Sequence, residues 1–401
     1  MSATVYITGL GMVSAIGFDV QQCLIALRQS RTGVEPLRYL NTRYRGKVLA
    51  GEVKAENEEL GAMLQIDDVR AHSRTALLGM MAAREAYQHA RLDENQELRT
   101  GLISATSVGG IDKSELFYEQ YLQDPQSGDL RSIICHDCGD STEKIADDLK
   151  LSDFVTTIST ACSSSANAMI MGARLIKSGQ IDRVIVGGTD ALTRYTLNGF
   201  NALRIIDTDW CRPFDKNRNG LNLGEAAAFL VLESEKAIRQ SKKEPLCKLA
   251  GYGNANDAYH QTASSPEGIG AMKAMEIALK QGGLVPNQID YINAHGTATL
   301  NNDLSEGMAI KNLFRDYLPK FSSTKSYTGH TLAAAGAVEA VISVLSLHHH
   351  LLVPNLNFKE PIAELSMQPI AKLEEGTSIR SILSNSFGFG GNCSAMIFSS
   401  C

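Results

Sequence analysis

Three positions carry side chains suited to acyl chemistry. Cys162 lies in Thr160-Ala161-Cys162-Ser163-Ser164-Ser165, between a strand-like run and a helix start. Serines there can accept bonds from free helix N–H groups, and the positive end of the helix dipole favours thiolate over thiol. A thiolate is both a strong nucleophile and a good leaving group from a thioester. A buried structural cysteine beside a serine-rich cap is the competing reading. His295 follows an apolar strand in Asn293-Ala294-His295-Gly296-Thr297-Ala298-Thr299, at the strand end where ligands gather in open α/β sheets. His330 closes Lys325-Ser326-Tyr327-Thr328-Gly329-His330, ahead of an apolar helix. Either histidine alone reads first as structural. His348-His349-His350 reads as a solvated C-terminal helix turn.

The elements that must position these groups alternate along the chain. Strand candidates are Thr4–Thr8, Thr100–Ser104, Phe154–Ile158, Arg183–Val186, Ala228–Leu232, Cys247–Ala250, Ile289–Ile292, Ser381–Ser384 and Ser394–Phe398. Helix candidates are Val20–Gln29, Arg74–His89, Ser163–Lys177, Gly268–Gly282, Asp303–Phe314 and Leu332–His348. That order predicts an α/β protein with largely buried sheets. Two segments look alike: Phe154–Ile158, the Cys162 turn and an Ala/Met/Ile-rich helix; then Ser322–Tyr327, His330 and an Ala/Val/Leu-rich helix. Both helices are apolar on nearly every face, as between two sheets. The pattern reads as an internal duplication with its boundary in the charged stretch Glu233–Glu244.

Length and composition agree. A chain of 401 residues has room for two fused halves. Hydrophobic residues make up 44% and charged residues 20%, an ordinary globular composition. A formal net charge of -6 argues against a general nucleic-acid binder. Met1–Gly11 lacks the basic start and long apolar core of a signal peptide. Leu332–Leu347 is interrupted by Glu339 and Ser343, so it reads as a buried helix and not a membrane span. The expected compartment is the cytoplasm. Eight scattered cysteines do not suggest a disulfide framework. Cys135-His136-Asp137-Cys138 has CxxC spacing without a second pair nearby, so packed thiols are favoured over a metal site.

Together, the cysteine and two histidines resemble the Cys-His-His set of elongating β-ketoacyl-acyl-carrier-protein synthases. The resemblance spans nearly the whole chain. It runs from Ile7-Thr8-Gly9-Leu10-Gly11, through Arg212-Pro213-Phe214-Asp215 and Gly224-Glu225, to Asn385-Ser386-Phe387-Gly388-Phe389-Gly390-Gly391. It implies a thiolase-like fold of two duplicated α/β halves in a five-layer α-β-α-β-α arrangement. Residues 1–240 would form the half carrying the nucleophile, and residues 241–401 the half carrying both histidines.

By position, the resemblance makes Cys162 the acylated nucleophile and His295 and His330 the pair that polarises a malonyl thioester. Lys325 matches the family's lysine, Glu306 its acidic partner, and Phe389 the aromatic gate in a glycine-rich loop. Backbone N–H groups of Cys162 and Phe389 would stabilise the oxyanion, and a Lys325–Glu306 pair would orient His330. The histidines must be neutral to donate N–H bonds to the enolate. The implied reaction is decarboxylative condensation that extends an acyl chain by two carbons, with no metal or redox cofactor. The implied partners are an acyl carrier protein and a second subunit, either identical or a related ketosynthase chain, with no nucleic acid and no membrane span. Arg70, Arg74 and Arg204 are candidate docking residues for the carrier.

This sequence departs from the family pattern at several places. Asn392-Cys393 stands where Thr-Asn usually follows Gly-Phe-Gly-Gly, Leu300 stands where proline is common, and His136–Thr142 is more polar than in housekeeping fatty-acid enzymes. The last change hints at a specialised pathway such as polyene or aryl-lipid assembly. Val108 matches a position whose bulk limits acyl length in relatives. Two other readings stay open: a non-catalytic partner subunit of a ketosynthase heterodimer, and a thiolase or initiating ketosynthase, for which Cys393 would be a second thiol.

Overall fold

Apolar, β-branched runs form strands wherever alternate residues find cover on both faces. In a computed structural model, which describes residues 4–95 and 97–401, ten such strands join edge to edge. Only Met1–Ala3 of the opening segment and Gln96 lie outside the described residues. The first five strands are β1 (Val5–Ser14), β2 (Thr100–Ala105), β3 (Val155–Ile158), β4 (Arg183–Asp190) and β5 (Ala226–Ser234). The second five are β6 (Cys247–Asn256), β7 (Tyr291–Asn293), β8 (Lys320–Ser322), β9 (Ser381–Phe387) and β10 (Asn392–Ser399).

Their spatial order is β8-β7-β9-β10-β6-β1-β5-β4-β2-β3. Counted within itself, each half reads 3-2-4-5-1. Parallel pairing joins the first three places of each half, and antiparallel pairing joins the rest. Within the sheet, the halves pair at Tyr6 with Lys248 and Ile7 with Cys247. The duplication is therefore written in strand order and sense.

Six helices complete the layers: α1 (Arg74–His89), α2 (Cys138–Leu149), α3 (Ser164–Lys177), α4 (Ile269–Gly282), α5 (Leu300–Phe314) and α6 (Ala335–His349). Strand alternation sorts them. On β4, Val184 and Val186 pack with α3, while Ile185 points the other way, into a cluster with Leu77 and Leu78 of α1. On β9, Ile382 joins α6, while Leu383 joins Met275 of α4. α3 and α6 thus lie between the two half-sheets, with α1 and α2 outside one and α4 and α5 outside the other. This is the five-layer thiolase-like fold.

α6 is buried from Ala335 through Leu347, polar Glu339 and Ser343 included. Leu332–His349 is long and apolar enough to cross a membrane, but most of it is packed inside the protein. The eight cysteines are all free, and no metal-holding cluster of His, Cys, Asp or Glu occurs among the described residues. Cys135 donates its S–H to Ala71 O at 3.1 Å, as a packed thiol does.

Most sequence-derived elements recur with shifted ends. Strands grow where a neighbour supplies ladder partners: β1 runs on to Ser14 beside β5, and β6 to Asn256 beside β10. Unrecognised were β8, only three residues long, and the helices Asn57–Leu64, Ile111–Gln123, Cys138–Leu149 and Arg194–Ala202. The charged stretch Glu233–Glu244 ends β5 and then forms a short helix, Glu235–Ser241.

The contact between α1 and β1 depends on Gly11. A Cβ there would meet Ala82 O at 1.9 Å. Gly11→Ala is expected to cost about 3 kcal/mol, the upper range for overpacking. Gly139→Ala in α2, with no atom nearer than 3.8 Å to the new carbon, should be neutral or stabilising by up to about 1 kcal/mol. Equilibrium urea unfolding of the two variants compares them directly.

Candidate active site

The nucleophile sits on a sharp turn between β3 and α3. Ala161 holds φ +53, a left-handed conformation costly for a residue with a side chain. The turn is held by its serines: Ser164 Oγ accepts from Thr160 N at 2.8 Å and donates to Ala161 O, while Ser163 Oγ stands 2.8 Å from Thr160 O, one of two acceptors within reach of its single hydrogen. Cys162 ends up 6% exposed. Its thiol is pushed up to about 11, chiefly by burial. The Lys325 charge and the N–H groups of Phe389 and of Cys162 itself pull the other way, while Asp190 adds to the rise. Burial thus works against the α3 dipole, which favours the thiolate, and pushes the group toward the thiol.

The two histidines arrive from the second half. His295 follows β7, and its ring stands edge-on to that of His330, with centroids 5.4 Å apart. Each is 2% exposed. Burial, and then the Lys325 charge, hold both imidazoles well below their ordinary value; for His295, His330 adds a third push. Both rings are neutral at physiological pH. Lys325 Nζ lies 3.2 Å from His295 Nδ1 and donates to His295 O. An ammonium offers donors only, so Nδ1 must accept and the His295 ring proton is carried on Nε2. His330 is set by backbone instead: its N–H donates to Asn222 O at 2.8 Å, and its O accepts from Gly224 N at 2.9 Å. Its Nδ1 has no partner among the described residues.

The acidic partner of Lys325 is Glu339, not Glu306. Lys325 Nζ donates to Glu339 Oε1. Both side chains are almost fully buried, in the central layer beneath the histidines. Burial pushes the Glu339 carboxyl up to about 7 against the pull of the Lys325 charge. Glu306 lies on α5, outside β7, and faces main chain. It accepts from His295 N at 2.9 Å, Gly296 N at 2.8 Å and Asn385 Nδ2 at 3.0 Å. Burial also takes Glu306 up to about 7. It holds the His295 turn in place, and the lysine it was expected to pair with contacts His295 and not His330. The sequence did carry a sign of Glu339: it is the one charge in the apolar run Leu332–Leu347.

Asp190, at the end of β4, is a second residue missed from the sequence. It is fully buried, and its carboxylate accepts from Thr106 Oγ1, Ser107 N at 3.0 Å, Ser107 Oγ and Ala333 N at 2.8 Å. It thereby joins the 106–108 loop to the turn that leads from His330 into α6.

Of the three arginines, Arg204 is exposed and lines the cavity above Cys162. Arg70 is exposed and paired with Asp68 at 2.7 Å. Arg74 is not available for docking, because it is buried against Glu225 at 2.7 Å.

Two cavities meet at Cys162. One, of about 290 Å³, is lined by Cys162, His295, His330, Phe389, Arg204 and Cys393 among others. The other, of about 710 Å³ and mainly apolar, is lined by Cys162, Val108, Phe200, Leu203, Leu332 and Phe389 among others. Phe389 belongs to both walls and stacks on Phe200, with centroids 5.8 Å apart. A thiol, two neutral N–H donors and an apolar chamber around one sulfur suit transfer of a fatty acyl group followed by stabilisation of an enolate. Cys393 shares the first cavity, with its thiol pushed up by burial to about 12.

The chain is similar to known proteins over nearly its whole length. Residues 2–237 match the β-ketoacyl synthase N-terminal domain model and residues 246–359 the C-terminal domain model. A 3-oxoacyl-[acyl-carrier-protein] synthase 2 of Staphylococcus aureus is 33% identical over 407 residues, covering 98% of this chain and 97% of that protein. Among solved structures, the ishigamide ketosynthase/chain length factor superposes with a TM-score of 0.94 at 30% identity over the full length of both chains. The ketosynthase ApeO in complex with its chain length factor ApeC, from Xenorhabdus doucetiae, gives 0.86 at 31% identity, covering 100% of this chain and 98% of that one.

The buried thiol has a direct consequence. With its value raised to about 11, the thiolate fraction of Cys162 keeps growing across the alkaline range. Iodoacetamide alkylation of Cys162 should therefore climb about tenfold per pH unit from 7 to 10, with no plateau near 8.5. A plateau would show that the dipole and Lys325 prevail over burial. Removing the partner of Lys325 is costly as well. Glu339→Ala should lose about 3–5 kcal/mol of unfolding free energy, because it strands a buried ammonium.

Proposed function

The chain belongs to the β-ketoacyl synthase family, and on that premise we propose that Cys162, His295 and His330 are its catalytic set, with Phe389 as gate and Lys325 and Glu306 as supporting groups. It is an acyltransferase that condenses acyl units. The observation that carries the assignment is the cavity that Cys162 lines together with both imidazoles.

The acyl half-reaction begins with Cys162 Sγ attacking the carbonyl of an acyl thioester. The S–H proton leaves as the S–C bond forms and ends on the carrier sulfur, which departs as the thiol when the tetrahedral intermediate collapses. The N–H groups of Cys162 and Phe389 hold the oxyanion, each worth about 3 kcal/mol at the barrier. The acyl chain then occupies the apolar cavity behind Phe389.

In the second half-reaction, a malonyl thioester enters the other cavity. Its carboxylate leaves as CO2, and the electron pair of the broken C–C bond moves onto the thioester oxygen. Neutral His295, with its proton on Nε2, and neutral His330 donate hydrogen bonds to that enolate. A protonated histidine pair would be repelled by the neighbouring Lys325 charge, so the neutral state is built into the site. The enolate carbon attacks the acyl-Cys162 carbonyl, the C–S bond breaks, and the product leaves two carbons longer. Lys325 fixes the His295 tautomer, and Glu306 fixes its main chain.

The partner that delivers both thioesters is an acyl carrier protein, as named for the 3-oxoacyl-[acyl-carrier-protein] synthase relatives. The chain works as a dimer, either with itself or with a related subunit, as the ketosynthase/chain length factor neighbours do, and it acts in the cytoplasm. The non-catalytic subunit reading gains nothing from the site, where Cys162, His295, His330 and Lys325 are all present. A specialised polyene or polyketide-type pathway fits those neighbours as well as fatty-acid synthesis does.

Incubation with an acyl-carrier thioester followed by intact-mass analysis tests the assignment. An acyl adduct on Cys162 is expected, absent in Cys162→Ala. His295→Ala and His330→Ala should still be acylated, while malonyl decarboxylation falls about 100-fold or more in each, the usual effect of losing one oxyanion donor. A wild-type chain without an adduct, alone and with a co-expressed related subunit, would overturn the catalytic reading.

A further inference from the structure

The two N–H groups assigned to the oxyanion come from opposite halves of the chain. That of Cys162 precedes α3; that of Phe389 sits in the glycine loop 388–391 between β9 and β10. Such donors work only when both lie about 3 Å from the position the oxyanion takes. Two separate loops do not hold that spacing by themselves. Gly388 lets them approach: a Cβ there would come within 2.7 Å of Thr160 O and 3.1 Å of Ser163 Oγ. Close approach permits the geometry without fixing it.

One side chain spans the seam. Asn392 Oδ1 accepts from Ser163 Oγ at 2.8 Å, from Asn167 Nδ2 at 2.9 Å and from Asn254 Nδ2 at 2.9 Å. Ser163 is the residue after Cys162, and Asn167 lies one turn along α3. On the other side, Asn392 O accepts from Gly388 N at 2.8 Å, closing the base of the glycine loop. The donors are braced in turn. Asn167 Nδ2 reaches Thr160 Oγ1 at 2.8 Å, and Asn167 Oδ1 accepts from Ser394 Oγ at 2.9 Å and Asn254 Nδ2 at 3.0 Å. Three donors converging on one atom fix the amide orientation, because the reverse would set NH2 against NH2. Threonine, usual in the family at this place, carries its hydroxyl one bond closer to the backbone and has a stiff χ1. It cannot offer the same acceptor at the same reach.

We infer that Asn392 is a positioning residue that locks the glycine loop to the nucleophile turn and so sets the spacing of the Cys162 and Phe389 N–H groups. The inference rests on the assignment of Cys162 as the acylated nucleophile. It separates the two half-reactions, since the histidine pair is held by Lys325, Glu306 and the 222–224 segment, and the hydrogen bonds of Asn392 go to other residues.

Single-turnover acylation of Cys162 and malonyl decarboxylation by acyl-free enzyme are to be measured on wild type, Asn392→Ala, Asn392→Asp, Asn392→Thr and Ser163→Ala. Acylation should fall about 100-fold in Asn392→Ala, the scale of one misplaced oxyanion donor, with decarboxylation within about threefold. Asn392→Asp keeps an acceptor at the same reach and should restore acylation to within about tenfold of wild type, while Asn392→Thr should track the alanine variant. Ser163→Ala should lower acylation, and combining it with Asn392→Ala should add little, because both ends of one contact are then gone. Equal falls in both half-reactions, or unchanged acylation, would overturn the inference. If Asn392→Ala does not fold, the Asp variant and Ser163→Ala carry the same decision. A wild-type chain that fails to acylate would instead remove the functional assignment beneath it.

Discussion

A buried ammonium governs this site. Lys325 lies beneath both histidines with a single carboxylate, Glu339, as its counter-ion. Taking a lysine out of water costs several kcal/mol unless it is paired and hydrogen-bonded, and its donors go to Glu339, His295 O and His295 Nδ1. From that placement follow the tautomer of His295 and the neutrality of both imidazoles. The same charge favours the Cys162 thiolate without overcoming the burial that keeps it protonated. One cation thus tunes three reacting groups.

The duplicated architecture explains how such a charge can be buried at all. Two half-sheets of identical strand order enclose α3 and α6, so these helices are covered on both faces. The N-termini of the two helices meet there: Ala337 N donates to Ser165 Oγ at 2.9 Å, and Asp190 caps the turn into α6 through Ala333 N. Helix starts present unpaired N–H groups and positive potential, which is where acyl oxygens and a thiolate are best held. The first half contributes the sulfur, the second contributes the imidazoles and the lysine, and neither half holds a complete set.

The seam between the halves is bridged by one side chain. Asn392, at the end of the glycine loop, takes three donors from α3, its preceding turn and β6. Apolar contacts could hold these elements together, but they are not directional. A polar network with each donor satisfied ties them in one geometry.

Local sequence decided a good deal. The apolar runs, their alternation with helix-period segments and the paired strand–turn–helix pattern around Cys162 and His330 marked an α/β duplication, because each depends on neighbours a few residues apart. The candidate nucleophile and histidines were legible for the same reason: each sits in a turn bounded by recognisable elements. Pairings across long separations were decided by the tertiary structure alone. Glu306 and Glu339 are both acidic residues within 20 positions of Lys325, yet one reaches from α5 onto the backbone of His295 while the other pairs with the lysine in the central layer. Which carboxylate meets the lysine depends on the face of the second half-sheet from which its helix approaches. The protonation of Cys162 was equally out of reach, since the helix dipole is local to the sequence while desolvation is a property of everything packed around the sulfur.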